Sequence, residues 1–141
     1  DLRSGGDSEP AEQLGDIVHA FGLVSVQIDV EGELPNDARV AAAFLQIIRE
    51  ASTNATKHAQ AHQVHVRLWQ EGTEDGAVAR MVVSNDGAPA PVSYREGTGI
   101  PGMRHVAQNL GGSLEVHTAP PFTLTVSIPL NASATAQRRS S

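Results

Sequence analysis

Glu50, Asn54, Lys57 and His58 put a carboxylate, an amide, an amine and an imidazole into one short stretch, EASTNATKHA, from Glu50 to Ala59. On a helix turning about 100° per residue, these four side chains fall within an arc of roughly 100°. Asn54 and Thr53 are mediocre helix formers, because their side chains compete with the backbone or lose rotamer freedom. Such an arc is either an ordinary solvated face, with contacts one turn apart worth a few tenths of a kcal/mol, or a surface that holds a polar ligand. Two stretches further on bear on the choice. VVSNDG (Val82–Gly87) reads as a strand running into a turn, and GTGIPGM (Gly97–Met103) enters a helix. Glycines let backbone N–H groups approach a phosphate chain, and a helix N-terminus adds a favourable dipole.

These groups need a scaffold, and composition bounds it. At 141 residues the chain is most simply one domain with a core of its own. Hydrophobic residues make up 40% and aromatics 4%, as in an ordinary globular protein. The net charge of −6 argues against a broad nucleic-acid or anionic-membrane surface, though not against one anion held by a local cation cluster. The absence of cysteine removes disulfides and thiolate-ligated zinc. No apolar run reaches the ~20 residues that span a bilayer. No signal peptide is visible, and the lack of an initiator Met points to a piece of a longer chain.

The two ends, 1–11 and 131–141, read as flexible polar segments flanking a domain over 12–130. Within it, Leu14, Ile17, Val18 and Phe21 follow helical spacing up to Gly22. Val24, Val26, Ile28 and Val30 then alternate as a half-buried strand. A long helix is expected from Ala38 to Ala59, with Ala41, Phe44, Leu45, Ile48, Ala51 and Ala55 as its apolar stripe. On this reading the polar arc lies beside the stripe, so Asn54 faces off the core. Val64, Val66 and Leu68 begin a second strand, and EGTEDG turns it into a third over Val78–Ser84. Pro101 suits the first turn of a helix through Met103, Val106, Ala107 and Leu110, and strands follow around Leu114–His117 and Phe122–Ile128. The order α-β-α-β-β-α-β-β implies an α+β two-layer sandwich, a mixed, mainly antiparallel sheet with helices on one face.

EASTNATKHA followed by GTGIPGMRHVAQNLGG, in that order and spacing, resembles the catalytic ATP-binding domain of bacterial sensor histidine kinases. That domain is of the Bergerat-type fold shared with gyrase and the Hsp90 chaperones. The pattern E-x-x-x-N-x-x-K-H-A, D-x-G-x-G, G-x-G-x-x-G-M-R is that of the subfamily partnered by LuxR- or NarL-type response regulators, and the likeness covers about Leu23–Pro129. The resemblance implies ATP and Mg²⁺ as ligands. It makes Asn54 the Mg²⁺ ligand through its side-chain oxygen, and Glu50 the general base or the group orienting a metal-bound water. It turns Lys57 and His58 toward the phosphates, and makes Gly97, Gly99 and Gly102 a lid over the triphosphate. Arg104 either reaches a phosphate or caps its helix. Asn85 stands where the family has its adenine-reading Asp, two residues before Gly87. Its carbonyl can accept from the adenine amino group, and Asp86 occupies the variable position. Pro89 replaces the motif's second glycine. The Gly-Thr before the last strand reads Phe122-Thr123, which carries over Thr123 as a nucleotide contact.

Two other motifs fail on context. His58, His62 and His65 are spaced like zinc ligands, but His62 is expected past the helix end and His65 on a strand, pointing away from Val64 and Val66. Gly97–Gly102 matches a dinucleotide fingerprint as a string, without a strand leading into it or a parallel βαβ unit around it. His19, in DIVHAFG, lacks the acid- and arginine-flanked setting of a phosphoacceptor histidine. The resemblance therefore implies a cytoplasmic catalytic module that is monomeric by itself. It would act on a histidine of a separate dimerisation domain, in its parent chain or in trans, upstream of a LuxR/NarL-type regulator, with no nucleic-acid or membrane contact of its own. Two alternatives stand beside it: a nucleotide-binding regulatory module with weak or no phosphotransfer, and a serine kinase of the anti-sigma type.

Overall fold

The computed structural model describes residues 9–59, 61–74, 76–87, 99–119 and 121–130, with the side chains of residues 58 and 59 excepted. The chain runs α1 (Pro10–Gly22), β1 (Gln27–Glu31), α2 (Ala38–Asn54), a π-helical turn (Ala55–Ala59), β2 (Gln63–Thr73), β3 (Gly76–Asn85), α3 (Ile100–Asn109), β4 (Ser113–His117) and β5 (Phe122–Leu130). The five strands form one sheet in the order β1-β2-β3-β5-β4. β1 and β2 are parallel and the other three pairings antiparallel. The single parallel pair follows from α2, which carries the chain from β1 across the sheet, since parallel neighbours need such a crossover.

Strand alternation sorts the sheet into two faces. Val64, Val66 and Leu68 on β2, Ala79, Met81 and Val83 on β3, and Phe122, Leu124, Val126 and Ile128 on β5 are buried. They form one core with Phe44, Ile47 and Ile48 of α2, each of which is wholly buried. Burying a side chain of that size stabilises the fold by about 1.5–3 kcal/mol, so this seam is the main source of cohesion. The opposite face carries polar side chains; on it Arg80 donates to Glu71 (2.9 Å) and to Ser127 (2.6 Å).

Asp37 sets the start of α2, its Oδ1 accepting from the backbone N–H of Arg39 (2.9 Å) and Val40 (3.3 Å). Two boundaries differ from the sequence expectation. The first strand begins at Gln27, and Val24 is 59% exposed. The chain leaves α1 through turn hydrogen bonds, Val24 N to Phe21 O and Ser25 N to Gly22 O, with Ser25 at φ +68°, so alternation starts only at Val26. The long helix is also not α-helical to Ala59, since its last five residues form the π turn. Of the flexible ends expected at 1–11 and 131–141, residues 1–8 and 131–141 lie outside the described residues, while Pro10 and Ala11 already belong to α1.

Candidate functional site

The site is assembled at the C-terminal end of α2. Thr53 Oγ1 donates to the Arg49 carbonyl (2.9 Å) and Thr56 Oγ1 to that of Ser52 (2.8 Å). Hydroxyls that capture carbonyls one turn back loosen the backbone ladder, and here the helix widens into a π turn directly after Asn54. The 100° step therefore stops at Asn54. Glu50 and Asn54 remain one α-helical turn apart, whereas Lys57 rides on the π turn and is exposed. His58 lies on the same turn, its side chain outside the described residues.

Asn54 corrects the expectation that the polar arc faces off the core: it is only 3% exposed. Its neighbours Ala51 and Ala55 are buried as well, and α3 packs across α2. Small side chains let that second helix approach α2 closely, which a single-helix projection cannot show. The approach is visible at Gly99. This residue caps the N-terminus of α3 at φ +88°, and a Cβ built on it would lie 2.6 Å from Glu50 Oε2. The Glu50 carboxyl is thus packed against the backbone that opens α3, where the helix dipole favours negative charge. Gly102, in the first turn of α3, has open space where a side chain would begin.

The two glycines separate in an expected experiment. Gly99→Ala puts a Cβ on a left-handed backbone and displaces the Glu50 carboxyl, and should destabilise the domain by about 1–3 kcal/mol, chiefly through the backbone. Gly102→Ala meets nothing and gains helix propensity, so it should raise stability by up to about 1 kcal/mol. Urea unfolding of both variants measures this; equal effects would refute the left-handed conformation of Gly99.

The other wall of the site is the end of β3, against which α2 also packs. Asn85 shares the buried face with Val83 and is 7% exposed. Its Nδ2 donates to the Asp86 carbonyl (2.6 Å), so its own carbonyl oxygen is turned the other way. Gly87 follows at φ +107°. Asp86, expected only as the variable position of the motif, has a structural part in this wall. Its Oδ1 accepts from the backbone N–H of both His62 and Gln63, each at 2.9 Å, tying the end of β3 to the chain that leaves the π turn. Those two N–H groups, that of Gln63 foremost, hold its carboxyl below the usual range.

Four residues place differently or cannot be placed. Thr123 does not join the group. Phe122, not Thr123, is directly across from Asn85 in the ladder, and alternation sends Thr123 to the opposite face beside Ser84. There its hydroxyl donates to the Pro121 carbonyl (2.8 Å). Arg104 Nε donates to the Leu114 carbonyl on β4 (3.3 Å), a contact that neither expectation included. Pro89 and Gly97 lie outside the described residues. Of the histidines weighed as zinc ligands, His62 lies beyond the π turn and His65 is exposed on β2, 3.8 Å from Asp29.

Comparison with known proteins agrees with this arrangement. Residues 40–132 match the family described as histidine kinase-, DNA gyrase B-, and HSP90-like ATPase. The chain is 31% identical over 87 residues to the signal transduction histidine-protein kinase/phosphatase UhpB of Salmonella typhimurium, a match covering 61% of this chain and 17% of that protein. It is 35% identical over 89 residues to the sensor histidine kinase DesK of Bacillus subtilis, covering 60% and 22%. The chain thus spans about a fifth of the length of these relatives. Among solved structures it shares the fold of the ATP-binding domain of PrrB from Mycobacterium tuberculosis (TM-score 0.61, 17% identity, 84% of this chain and 91% of that one). It also shares that of the blue-light activated histidine kinase of Erythrobacter litoralis (TM-score 0.63, 24% identity, 86% and 42%). With a match over residues 40–132 and a sheet-and-helix sandwich of the same fold, the chain belongs to the histidine kinase-, DNA gyrase B- and HSP90-like ATPase family.

Proposed function

We propose that the chain is the catalytic ATP-binding domain of a sensor histidine kinase, transferring the γ-phosphoryl group of ATP to a histidine on a separate dimerisation domain. The observation that carries this reading is the convergence of the Glu50 carboxyl on the backbone that starts α3, with buried Asn54 one turn further along α2. A carboxylate, an amide and a glycine-opened helix N-terminus together suit a metal-bound phosphate chain. Family membership and relatives named as histidine kinases support the same reading.

Glu50 is placed to take a proton or orient a water, and its packing on Gly99 limits its rotamers. The Asn54 amide oxygen fits a hard cation, which takes few protein ligands. Mg²⁺ held there supplies charge neutralisation of the phosphate oxygens. Lys57 and His58, on the wider π turn, are the cations available to the phosphates. The Asn85 carbonyl is the acceptor for an adenine amino group, with Gly87 beside it. Gly97, Gly99 and Gly102 serve as the glycine-rich cover over the phosphates. Among the described residues no helix is long and apolar enough to cross a membrane. The proposed setting is the cytoplasmic part of a sensor, upstream of a LuxR/NarL-type regulator.

Calorimetry and thermal unfolding with ATP or ADP test the reading. Nucleotide at a hundred times its Kd is expected to stabilise the domain by about 2.7 kcal/mol with Mg²⁺, and by less with EDTA. No heat and no shift with Mg-nucleotide would end it.

A further inference from the structure

We propose that Asp86, the residue between the two motif positions Asn85 and Gly87, is a positioning residue of the nucleotide site and sets which atom Asn85 shows to the base. The proposal rests on the nucleotide-binding reading above.

Three sets of hydrogen bonds meet at this residue. Its Oδ1 accepts from His62 N and Gln63 N, both at 2.9 Å, and its own N–H donates to the Gln63 carbonyl at 3.2 Å. Its carbonyl accepts from Asn85 Nδ2 at 2.6 Å. The β2–β3 ladder ends at the Val64–Asn85 pair, so Asp86 carries the join past the last rung. His62 is fixed from its other side too, its carbonyl accepting from Gln27 N at 2.9 Å. The strand end bearing Asn85 and the chain just past the π turn bearing Lys57 and His58 are thereby held as one body.

The choice of a carboxylate has a physical reason. Two successive backbone N–H groups form a small anion-holding concavity, and a charged acceptor makes roughly twice the bond a neutral one makes. Asp86 itself is exposed, so its side chain contributes no packing. What it contributes is location. With Nδ2 engaged by the Asp86 carbonyl, the group Asn85 has left to offer a base is its acceptor oxygen. That favours a base with an amino group at this point over one with a carbonyl oxygen there, because the latter would set two acceptors against each other.

ATP and inosine triphosphate differ in this group, amino against oxygen, and are the probes. Mg-nucleotide affinity is measured for the unmodified chain, Asp86→Ala and Asp86→Asn, together with amide exchange at His62 and Gln63. The unmodified chain is expected to prefer ATP by at least about tenfold. Asp86→Ala should lose about tenfold or more in ATP affinity, bring the ATP-to-inosine ratio close to one, and speed exchange of both amides by about tenfold or more. Asp86→Asn keeps an acceptor at the same point and should stay within about threefold of the unmodified affinity and ratio. Should Asp86→Ala fail to fold, Asp86→Ser, which is too short to reach both N–H groups, carries the same comparison. An Ala or Ser variant that keeps the full ATP preference overturns the proposal, as does an unmodified chain that binds both nucleotides equally. An unmodified chain that binds neither removes the nucleotide-binding reading itself.

Discussion

Replacing Glu50 with glutamine is expected to slow phosphoryl transfer by about 10²–10⁴-fold, the usual contribution of a positioned base, while nucleotide affinity stays level or rises. Gln matches Glu in shape, so it fits under Gly99 as the carboxyl does, and the fold has no reason to move. What disappears is a proton acceptor and one negative charge, and the loss of that charge eases binding of a triphosphate. The rate is followed as labelled phosphate on the domain joined to a histidine-bearing dimerisation domain. If the unmodified protein binds Mg-ATP but transfers nothing, the kinase reading gives way to a nucleotide-binding regulatory module. If the Gln variant transfers at the unmodified rate, the base is another group.

Asn54→Ala should show two losses at once. The affinity gained from Mg²⁺ should vanish, leaving ATP bound no better with the ion than with EDTA. Because Asn54 is 3% exposed, truncation also strips hydrogen bonding from a buried place and should cost about 1–3 kcal/mol of stability. Asn54→Asp separates these effects. It keeps oxygen donors of the same reach, so a Mg²⁺ response should persist with the ion more tightly held. A variant that loses stability and keeps a full Mg²⁺ response would make Asn54 a purely structural residue.

Most of the scaffold was readable because it is written locally. The stripe through Phe44 and Ile48, the alternation through Val64, Val66 and Leu68, and the Pro101 start of α3 each follow from a period or a cap. The readings that failed depend on what lies elsewhere in the chain. A 3.6-residue period was carried through Thr53 and Thr56, whose hydroxyls capture carbonyls and precede the wider turn. Asn54 is buried by packing that a projection of α2 alone does not contain. Thr123 was matched by letter, while its face is decided by Phe122 pairing with Asn85. Asp86 passed as a variable spacer, since its partners His62 and Gln63 are more than twenty residues away in sequence.

The two ends of the sheet order carry a consequence for how copies of this domain meet. The bordering strands β1 and β4 are five residues each and bear Asp29 and Glu31, and Glu115. A second copy approaching border to border would have to bring carboxylates alongside carboxylates across a very short ladder. The net charge of −6 adds a general repulsion in the same sense. Short borders bearing Asp29, Glu31 and Glu115 therefore disfavour strand-by-strand stacking of copies, at positions other than those proposed to hold the nucleotide.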